Sequence, residues 1–297
     1  MSQNTLSLQL TDKESELLKD ILKKNGWKDD PVNNEYVALR MKSDMGSVCT
    51  LYTSRKVVFQ GNQDFEEIVS LIKKDSHEGG MDSHLGVDEV GKGDYFGPLV
   101  VVSCFVDEDF LKKVTSIGVG DSKKFSDGKI LDMYNELKGY KYYYVSIVSP
   151  HEYNELNSKL KNVSLLLAKQ HSKVIEMGLN DLNKKGIDCK HVVIDQFSSR
   201  KSRVLDELGP LGKGIELEQF HKGESDIAVA AASVLARGIF LEEMEKMRNT
   251  YYFNFPKGAS HVIPQAKEFV SKHGVSELEK VAKISFKTTK SVMQTSF

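Results

Sequence analysis

The sequence predicts a mixed α/β domain preceded by a small α+β domain. After residue 84, apolar strand-like runs alternate with helical patterns, and this alternation indicates a sheet covered by helices. Before residue 75, the strand-like runs follow one another across short turns, which is typical of antiparallel pairing. A polar, glycine-containing run at 74–83 separates the two patterns. We therefore predict a first domain at 1–75, a linker at 76–83 and a second domain at 84–297.

The first domain begins with an alternating strand at Thr5–Leu10, followed by an amphipathic helix. A capping box at Thr11–Glu14 starts the helix, and Asn25–Gly26 ends it. Three further strands and a closing helix are predicted at Tyr36–Met41, Ser47–Tyr52, Lys56–Gln60 and Asp64–Lys74. The resulting sheet can keep one face open, and Trp27 is predicted to be a core anchor.

The second domain alternates strands with helices. Strands are predicted after Leu85, at Lys141–Val148 and at His191–Asp195, and helices at Leu165–Met177 and after Glu224. The three tyrosines at 142–144 suit sheet packing better than base stacking, because a strand sends the middle side chain to the opposite face. Four histidines without ligand spacing are predicted to be structural or surface residues: His151, His191, His221 and His261.

The composition of the whole chain narrows the classes of protein. With 297 residues and a net charge of −1, any nucleic-acid binding must use a local basic patch. No apolar run approaches the ~18–20 residues that span a bilayer, and the first residues are unlike a signal peptide. The three cysteines are isolated, which argues against a disulfide framework or a zinc site. We expect a cytoplasmic protein that has no membrane association or obligate protein partner and is a monomer.

The segment around Asp88 and Glu89 carries the first chemical signal. Two adjacent carboxylates stand between an apolar strand and the glycine-rich turn Gly91–Lys92–Gly93. Side chains alternate across a strand, so both acids can serve one site only near the strand end. Neighbouring carboxylates repel each other unless a cation or a proton lies between them. Glycine backbone can approach a ligand closely, so the pattern favours a site over a solvated turn.

Two later segments supply further acids. Asp195 ends a strand of β-branched residues, a position where open α/β sheets commonly place ligands. Glu224 and Asp226 begin the alanine-rich helix, and two steps along a helix rotate a side chain by about 200°, so only one of them should join a shared site. Helix capping is the ordinary alternative for either acid. An array of four buried carboxylates is what two hard divalent cations require.

In their order along the chain, these motifs resemble those of type 2 ribonucleases H. The segments that carry the resemblance are Asp88–Gly93, Gly97–Pro98, Gly120–Lys124, Ile194–Asp195, Lys222–Ser225 and Ala230–Ser233. Within that family the chain most resembles the bacterial ribonuclease HIII branch, whose first domain is similar to the TATA-binding protein and binds substrate. The resemblance implies a ribonuclease H-like fold and an endonuclease that hydrolyses the RNA strand of RNA/DNA hybrids, leaving 5′-phosphate and 3′-hydroxyl ends. It also implies a two-metal mechanism, with Mg²⁺ or Mn²⁺ held by Asp88, Glu89, Asp195 and Glu224.

The resemblance also implies how the substrate is selected. Backbone groups of Gly91–Lys92–Gly93 would read the 2′-hydroxyl, which deoxyribose lacks, and Ser122 and Lys123 would also contact substrate. A solvated loop is the plain alternative for Lys123. Ala259 stands where ribonuclease HII usually has a tyrosine that recognises a single ribonucleotide, so we expect longer RNA tracts to be preferred. Other readings left open are excision of single ribonucleotides, another two-metal nuclease and a noncatalytic hybrid-binding protein.

Overall fold

The computed structural model describes residues 4–294 apart from 11, 66, 70, 73–82, 121, 199, 201, 221–222 and 224–225, and it omits the side chains of 12, 13, 123 and 220. The chain divides into two compact units, Met1–Met81 and Asp82–Phe297. None of the described helices is long and apolar enough to cross a membrane. The predictions for Thr11, for the run 74–83 and for His221 concern residues that lie wholly or mostly outside the described part of the chain.

The first unit is an antiparallel sheet with a helix. Its elements are β1 (Asn4–Gln9), α1 (Asp12–Lys24), β2 (Lys28–Asp29), β3 (Val37–Lys42), β4 (Val48–Tyr52) and β5 (Lys56–Gly61). The strand order is β1-β5-β4-β3-β2. Residues 67–69 and 71–72, within the helix predicted at 64–74, are helical. The apolar side of α1 packs on the sheet around Trp27, whose ring meets Phe59 edge-on at 6.1 Å. The prediction that Trp27 anchors this core is confirmed.

The second unit has a mixed sheet. Its strands are β6 (His84–Val90), β7 (Leu99–Val106), β8 (Tyr143–Val148), β9 (His191–Asp195) and β10 (Glu216–Phe220), in the order β10-β9-β6-β7-β8. The pairs β6/β7 and β7/β8 are antiparallel, whereas β6/β9 and β9/β10 are parallel. The strand predicted at Lys141–Val148 begins two residues later, at Tyr143. Strand β10 is not among the strands predicted from the sequence.

Helices cover the sheet. They are α2 (Glu108–Ile117), α3 (Asp127–Leu137), α4 (Pro150–Leu160), α5 (Val163–Lys184), α6 (Ser202–Leu205), α7 (Ile227–Tyr251), α8 (Ile263–His273), α9 (Val275–Val281) and α10 (Lys287–Met293). Leucine and valine side chains of α5 join Leu85 and Val87 of β6 in one core. Gly86 faces α7, and a Cβ there would lie 2.1 Å from the Ala228 backbone. The long helices α5 and α7 thus pack on opposite faces of β6.

Candidate active site

Asp88 and Glu89 lie at the end of β6 and point to opposite faces of the sheet. Asp88 hydrogen-bonds Ser233 on α7, whereas Glu89 Oε2 lies 3.0 Å from Nε2 of His171 on α5. Both residues nevertheless line one cleft of about 310 Å³, because the strand ends there. The cleft also receives Asp195. The prediction that adjacent carboxylates can share a site only at a strand end agrees with this geometry.

The Asp88 carboxyl is buried close to two other acids. Only 4% of the residue is exposed, and its Oδ1 accepts the Glu89 amide hydrogen at 2.7 Å. Burial raises the pKa of Asp88 to about 8, and the nearby charges of Glu89 and Asp195 add to the rise. Hydrogen bonds from Ser233 and from the Glu89 amide oppose it. The metal-free site therefore favours the protonated form of Asp88, and a bound cation would favour the charged form.

Glu89 is held in its charged form by two side chains. Burial alone raises its pKa, but the hydrogen bonds and charges of His171 and Lys92 lower the pKa of Glu89 below its usual value. Lys92 Nζ lies 2.9 Å from Glu89 Oε1, and each carboxylate oxygen thus has its own partner. His171 is fully buried and its ring packs 4.7 Å from that of Phe197. This arrangement fixes the orientation of the Glu89 carboxylate.

Asp195 reaches the same edge of the sheet from the neighbouring strand. Because β6 and β9 are parallel, their carboxyl ends meet at one edge. Asp195 Oδ1 accepts the Gly223 amide hydrogen at 2.9 Å. A Cβ on Gly223 would lie 2.8 Å from the Asp195 Cα, so this close approach requires glycine. Glu224 follows Gly223 in the sequence but lies outside the described residues.

Asp226 has a capping role. It is the N-cap of α7, and its Oδ1 accepts the amide hydrogens of Ala228 and Val229, both at 2.9 Å. Its Oδ2 lies 2.9 Å from Nε2 of His84. Burial raises the pKa of Asp226, but His84 and the amide donors outweigh this and lower it. One oxygen of Asp226 therefore caps α7, in line with the capping alternative, and the other oxygen contacts His84.

The glycine-rich turn lines the cleft, as the sequence suggested. Gly91 has φ +94°, and a Cβ there would lie 2.1 Å from the Pro98 carbonyl oxygen, so the fold itself requires glycine. Gly93 differs, because a Cβ there would meet no described atom within 4 Å. Lys92 is partly exposed and borders the cleft beside Glu89.

Polar side chains from outside the acidic group also line the cleft. Ser122 Oγ lies 2.7 Å from Ser233 Oγ, both buried, and the Ser122 carbonyl accepts a hydrogen bond from the Arg237 guanidinium. Arg237 also binds Asp127 at 2.8 Å, and Lys257 binds the other oxygen of Asp127. Ser122 therefore lines the cleft, while the side chain of Lys123 is not among those that the structure describes.

Several residues of the site had not been found from the sequence. The most important are His171, Arg237 and Lys257. His171 lies among the buried residues of α5. The sequence signal that could have identified it is a histidine at a helix position where apolar core residues are expected. Arg237 follows Ser233 by one helical turn in an alanine-rich helix, a spacing that places both side chains on one face. Of the histidines judged structural, His151 is exposed beside Glu155.

The described residues do not by themselves form a complete metal site. No group of three His, Cys, Asp or Glu side chains in the described part of the chain is arranged to hold a metal ion. Asp88, Glu89 and Asp195 nevertheless line one cleft, where burial raises the pKa of Asp88 and the charges of Glu89 and Asp195 add to the rise. Carboxylate oxygens are the ligands that Mg²⁺ and Mn²⁺ prefer. The donor set therefore fits divalent cations in kind.

Comparison with known proteins places the chain in a family. The Ribonuclease HII family model matches residues 85–289. Ribonuclease HIII of Protochlamydia amoebophila is 33% identical over 97% of this chain and 95% of its own length, and that of Chlamydia felis is 34% identical over 92% of each. The chain belongs to the type 2 ribonuclease H family. The crystal structure of Bst-RNase HIII in complex with Mn²⁺ matches it with a TM-score of 0.68 and 27% identity, covering 98% of both chains.

Membership of the type 2 ribonuclease H family confirms the predicted fold class and the predicted resemblance to ribonuclease HIII. Enzymes of this family are metal-dependent endonucleases that cleave the RNA strand of RNA/DNA hybrids, and this chain is such an enzyme. The hypothesis that the chain is a noncatalytic hybrid-binding protein is therefore wrong. The resemblance of the first unit to the TATA-binding protein stays a prediction.

Proposed function

We propose that this enzyme hydrolyses the RNA strand by a two-metal mechanism that leaves 5′-phosphate and 3′-hydroxyl ends. The observation that carries the proposal is the convergence of Asp88, Glu89 and Asp195 at the carboxyl ends of two parallel strands. With Glu224 as the fourth acid, they would hold Mg²⁺ or Mn²⁺. Such ions, when bound, lower the pKa of a coordinated water and neutralise charge on the leaving oxygen.

The chain's own residues orient and balance this site. His171 and Lys92 each occupy one oxygen of Glu89, which limits the directions in which that carboxylate can offer its remaining lone pairs. Ser233 does the same for Asp88 from the other face of the sheet. These contacts hold the Glu89 and Asp88 carboxyl groups beside the cleft, and preorganised charge of this kind is a large part of catalytic power.

Glu224 is proposed as the fourth ligand for two reasons. The Gly223 amide lies 2.9 Å from Asp195 Oδ1, and Glu224 is the next residue in the sequence. Asp226, the competing acid, uses both of its oxygens in the helix cap and the contact with His84. Moving Asp226 to a metal would therefore break the start of α7.

Selection of ribose is assigned to the backbone of Gly91–Lys92–Gly93. The open space beside Gly93 supports this, because no contact with a described residue explains a glycine there, whereas a substrate approaching the backbone does. Gly93→Ala should leave stability unchanged and raise the KM for a hybrid, since the added methyl group would occupy that space. Gly128→Ala on α3 is the matched control, because its Cβ also meets nothing within 4 Å. An unchanged KM for Gly93→Ala would argue against this assignment.

Contact with the phosphate backbone is assigned to the polar residues around the cleft. Lys92 and Lys123 are the predicted phosphate contacts, and Ser122 is a predicted substrate contact. We add Arg237 and Lys257 to this proposal because they line the same cleft. Asp127 pairs with both of these cations, which orients them but leaves other N–H donors for phosphate oxygens. Local positive charge of this kind compensates for the chain's net charge of −1.

The first unit is proposed as a hybrid-binding domain. Its helix α1 covers one face of the sheet, and another part of the sheet bears a shallow polar cavity of about 350 Å³. Arg40, Thr50 and Gln60 line this cavity and offer one charged and two neutral hydrogen-bonding groups. These groups suit contacts with a sugar–phosphate backbone.

One cleavage experiment tests the proposed function. The enzyme is incubated with Mg²⁺ or Mn²⁺ and four end-labelled duplexes: a uniform RNA/DNA hybrid, a DNA duplex with one ribonucleotide, an RNA duplex and a DNA duplex. Only the RNA strand of the uniform hybrid should be cut rapidly. Each cut should leave a 3′-hydroxyl and a 5′-phosphate at a nick in the RNA strand, and a ligase that seals RNA nicks should rejoin these ends. Cleavage of the DNA duplex, or 3′-phosphate ends, would refute the proposed mechanism.

A further inference from the structure

Lys283 is a buried lysine for which the mechanism above has no use. It follows α9 and is 0% exposed. Its Nζ lies 3.0 Å from the carbonyl oxygen of Asp94, 2.5 Å from that of Gly97 and 3.4 Å from that of Pro98. An ammonium group has three donors and no acceptor, so a cluster of three carbonyls matches it.

This placement of Lys283 is energetically costly. Burial lowers the pKa of Lys283 to about 7, and the charge of Asp94 opposes the shift only in part. The ring of Tyr153 lies 5.6 Å from the Nζ and provides an aromatic face. An apolar side chain of similar length would fill the same space without the cost of burying a charge. What lysine adds is donors for the carbonyls of the turn.

The backbone around Lys283 is paired with the same turn. The Lys283 amide donates to the Tyr95 carbonyl at 2.8 Å, and the Gly97 amide donates to the Val281 carbonyl at 3.0 Å. A β-bridge joins Phe96 to the residue before Lys283. The C-terminal segment and the turn are therefore joined by one antiparallel β-bridge with a hydrogen bond on each side of it.

A side chain of α4 holds the other edge of this segment. Asn154 donates to the Ala282 carbonyl at 2.9 Å and accepts the Ile284 amide hydrogen at 3.0 Å. Segment 282–284 is thus bound on both edges, by α4 and by the turn. The backbone of Lys283 is therefore fixed in position on both sides, and its side chain extends from there to the turn carbonyls.

The turn held by Lys283 continues into the cleft. Asp94 lines the cleft next to Gly93, and its amide donates to the Gly91 carbonyl at 3.2 Å. We infer that Lys283 is a positioning residue for substrate selection, which holds this turn so that the backbone of Gly91–Gly93 faces the ribose of the RNA strand. The inference rests on the proposed role of that turn in reading the 2′-hydroxyl.

Steady-state kinetics of Lys283→Met test the inference. We expect the KM for a uniform hybrid to rise roughly tenfold, as the loss of one or two hydrogen bonds would give. The kcat should change less than about twofold, because the carboxylates are not moved. The inhibition constant of a DNA duplex should stay unchanged, since DNA has no 2′-hydroxyl to lose. The matched control is Lys280→Met, which removes an exposed lysine paired with Glu277 at 2.6 Å and should change none of these values.

Three results would overturn the inference. A purely structural role would change the thermal unfolding temperature but leave KM unaltered at temperatures where the variant is folded. An equal rise in KM and in the DNA inhibition constant would indicate a general loss of nucleic-acid affinity. A fall in kcat alone would indicate a role in the chemistry.

If Lys283→Met lacks a cooperative unfolding transition, Lys283→Gln, which keeps two N–H donors, carries the same test with a smaller expected rise in KM. Failure of the wild-type enzyme to prefer the hybrid over DNA would instead refute the proposed role of the turn.

Discussion

Replacing Asp88 by asparagine should stabilise the metal-free enzyme while abolishing its activity. The folded-state pKa of Asp88 is raised from 3.8 to about 8, so the folded protein keeps a proton that the unfolded chain releases near pH 4. A carboxyl with a raised pKa contributes stability that is fully present at low pH and is lost as the pH rises through the folded-state value. Asparagine has no such titration, and it also removes the repulsion with Glu89 and Asp195.

The size of the effect follows from this shift. From pH 5 to pH 8, the difference in unfolding free energy between Asp88→Asn and wild type should grow by roughly 4 kcal/mol, because each pH unit contributes about 1.4 kcal/mol. Urea denaturation in EDTA at four pH values measures the difference. Cleavage by the variant should fall by at least about 100-fold with Mg²⁺ or Mn²⁺, as expected for loss of a preorganised charge.

Asp127→Asn is the control of opposite sign. Burial raises the pKa of Asp127, but Lys257 and Arg237 outweigh this and lower it. Its stabilising contribution is therefore present at neutral pH and is lost as the pH falls, so this variant should be less stable than wild type at pH 7 and should converge with it in acid. A stability difference for Asp88→Asn that stays constant from pH 5 to pH 8 would refute the reasoning.

The remaining predictions concern the fourth ligand, the substrate and the first unit. Glu224→Gln should suppress cleavage without destabilising the fold, whereas Asp226→Ala should lower the unfolding temperature by removing the oxygen that caps α7; near-normal turnover by Glu224→Gln would reverse the assignment. A duplex with four or more consecutive ribonucleotides should be cut much faster than one with a single ribonucleotide, because Ala259 replaces the tyrosine expected for junction recognition; equal rates would contradict this. Deleting residues 1–80 should weaken hybrid binding and flatten its dependence on salt, provided the truncated protein unfolds cooperatively; unchanged affinity across a salt series would point to a different role for the first unit.

The sequence predicted those parts of the fold and the site that local patterns encode. The β-branched run before Asp195 and the alanine-rich run before Arg237 each specify an element without reference to the rest of the chain. Asp88 and Glu89 could be assigned because two adjacent acids inside an apolar context have few ordinary explanations.

The parts that the sequence did not predict depend on contacts between distant residues. Strand β10 has a polar edge pattern, and it becomes a strand by pairing with β9 in parallel across an intervening segment. His171 lies 82 residues from Glu89 in the chain, and nothing near His171 marks it as a partner of a carboxylate. From the sequence alone, Lys283 would be assigned as an exposed charged residue near the end of a helix. Its contacts with the turn carbonyls are visible only in the folded chain.

The placement of Asp88 and Glu89 on opposite faces of β6 makes the site sensitive to the spacing of the layers. One acid is tied to α7 through Ser233 and the other to α5 through His171, so the distance between their carboxylates depends on how both helices rest on the sheet. A cavity-forming change deep in one layer, such as Val174→Ala on α5, would shift one acid relative to the other without touching the cleft. The rate of cleavage therefore depends on core packing, and substitutions on either face of the sheet can change it.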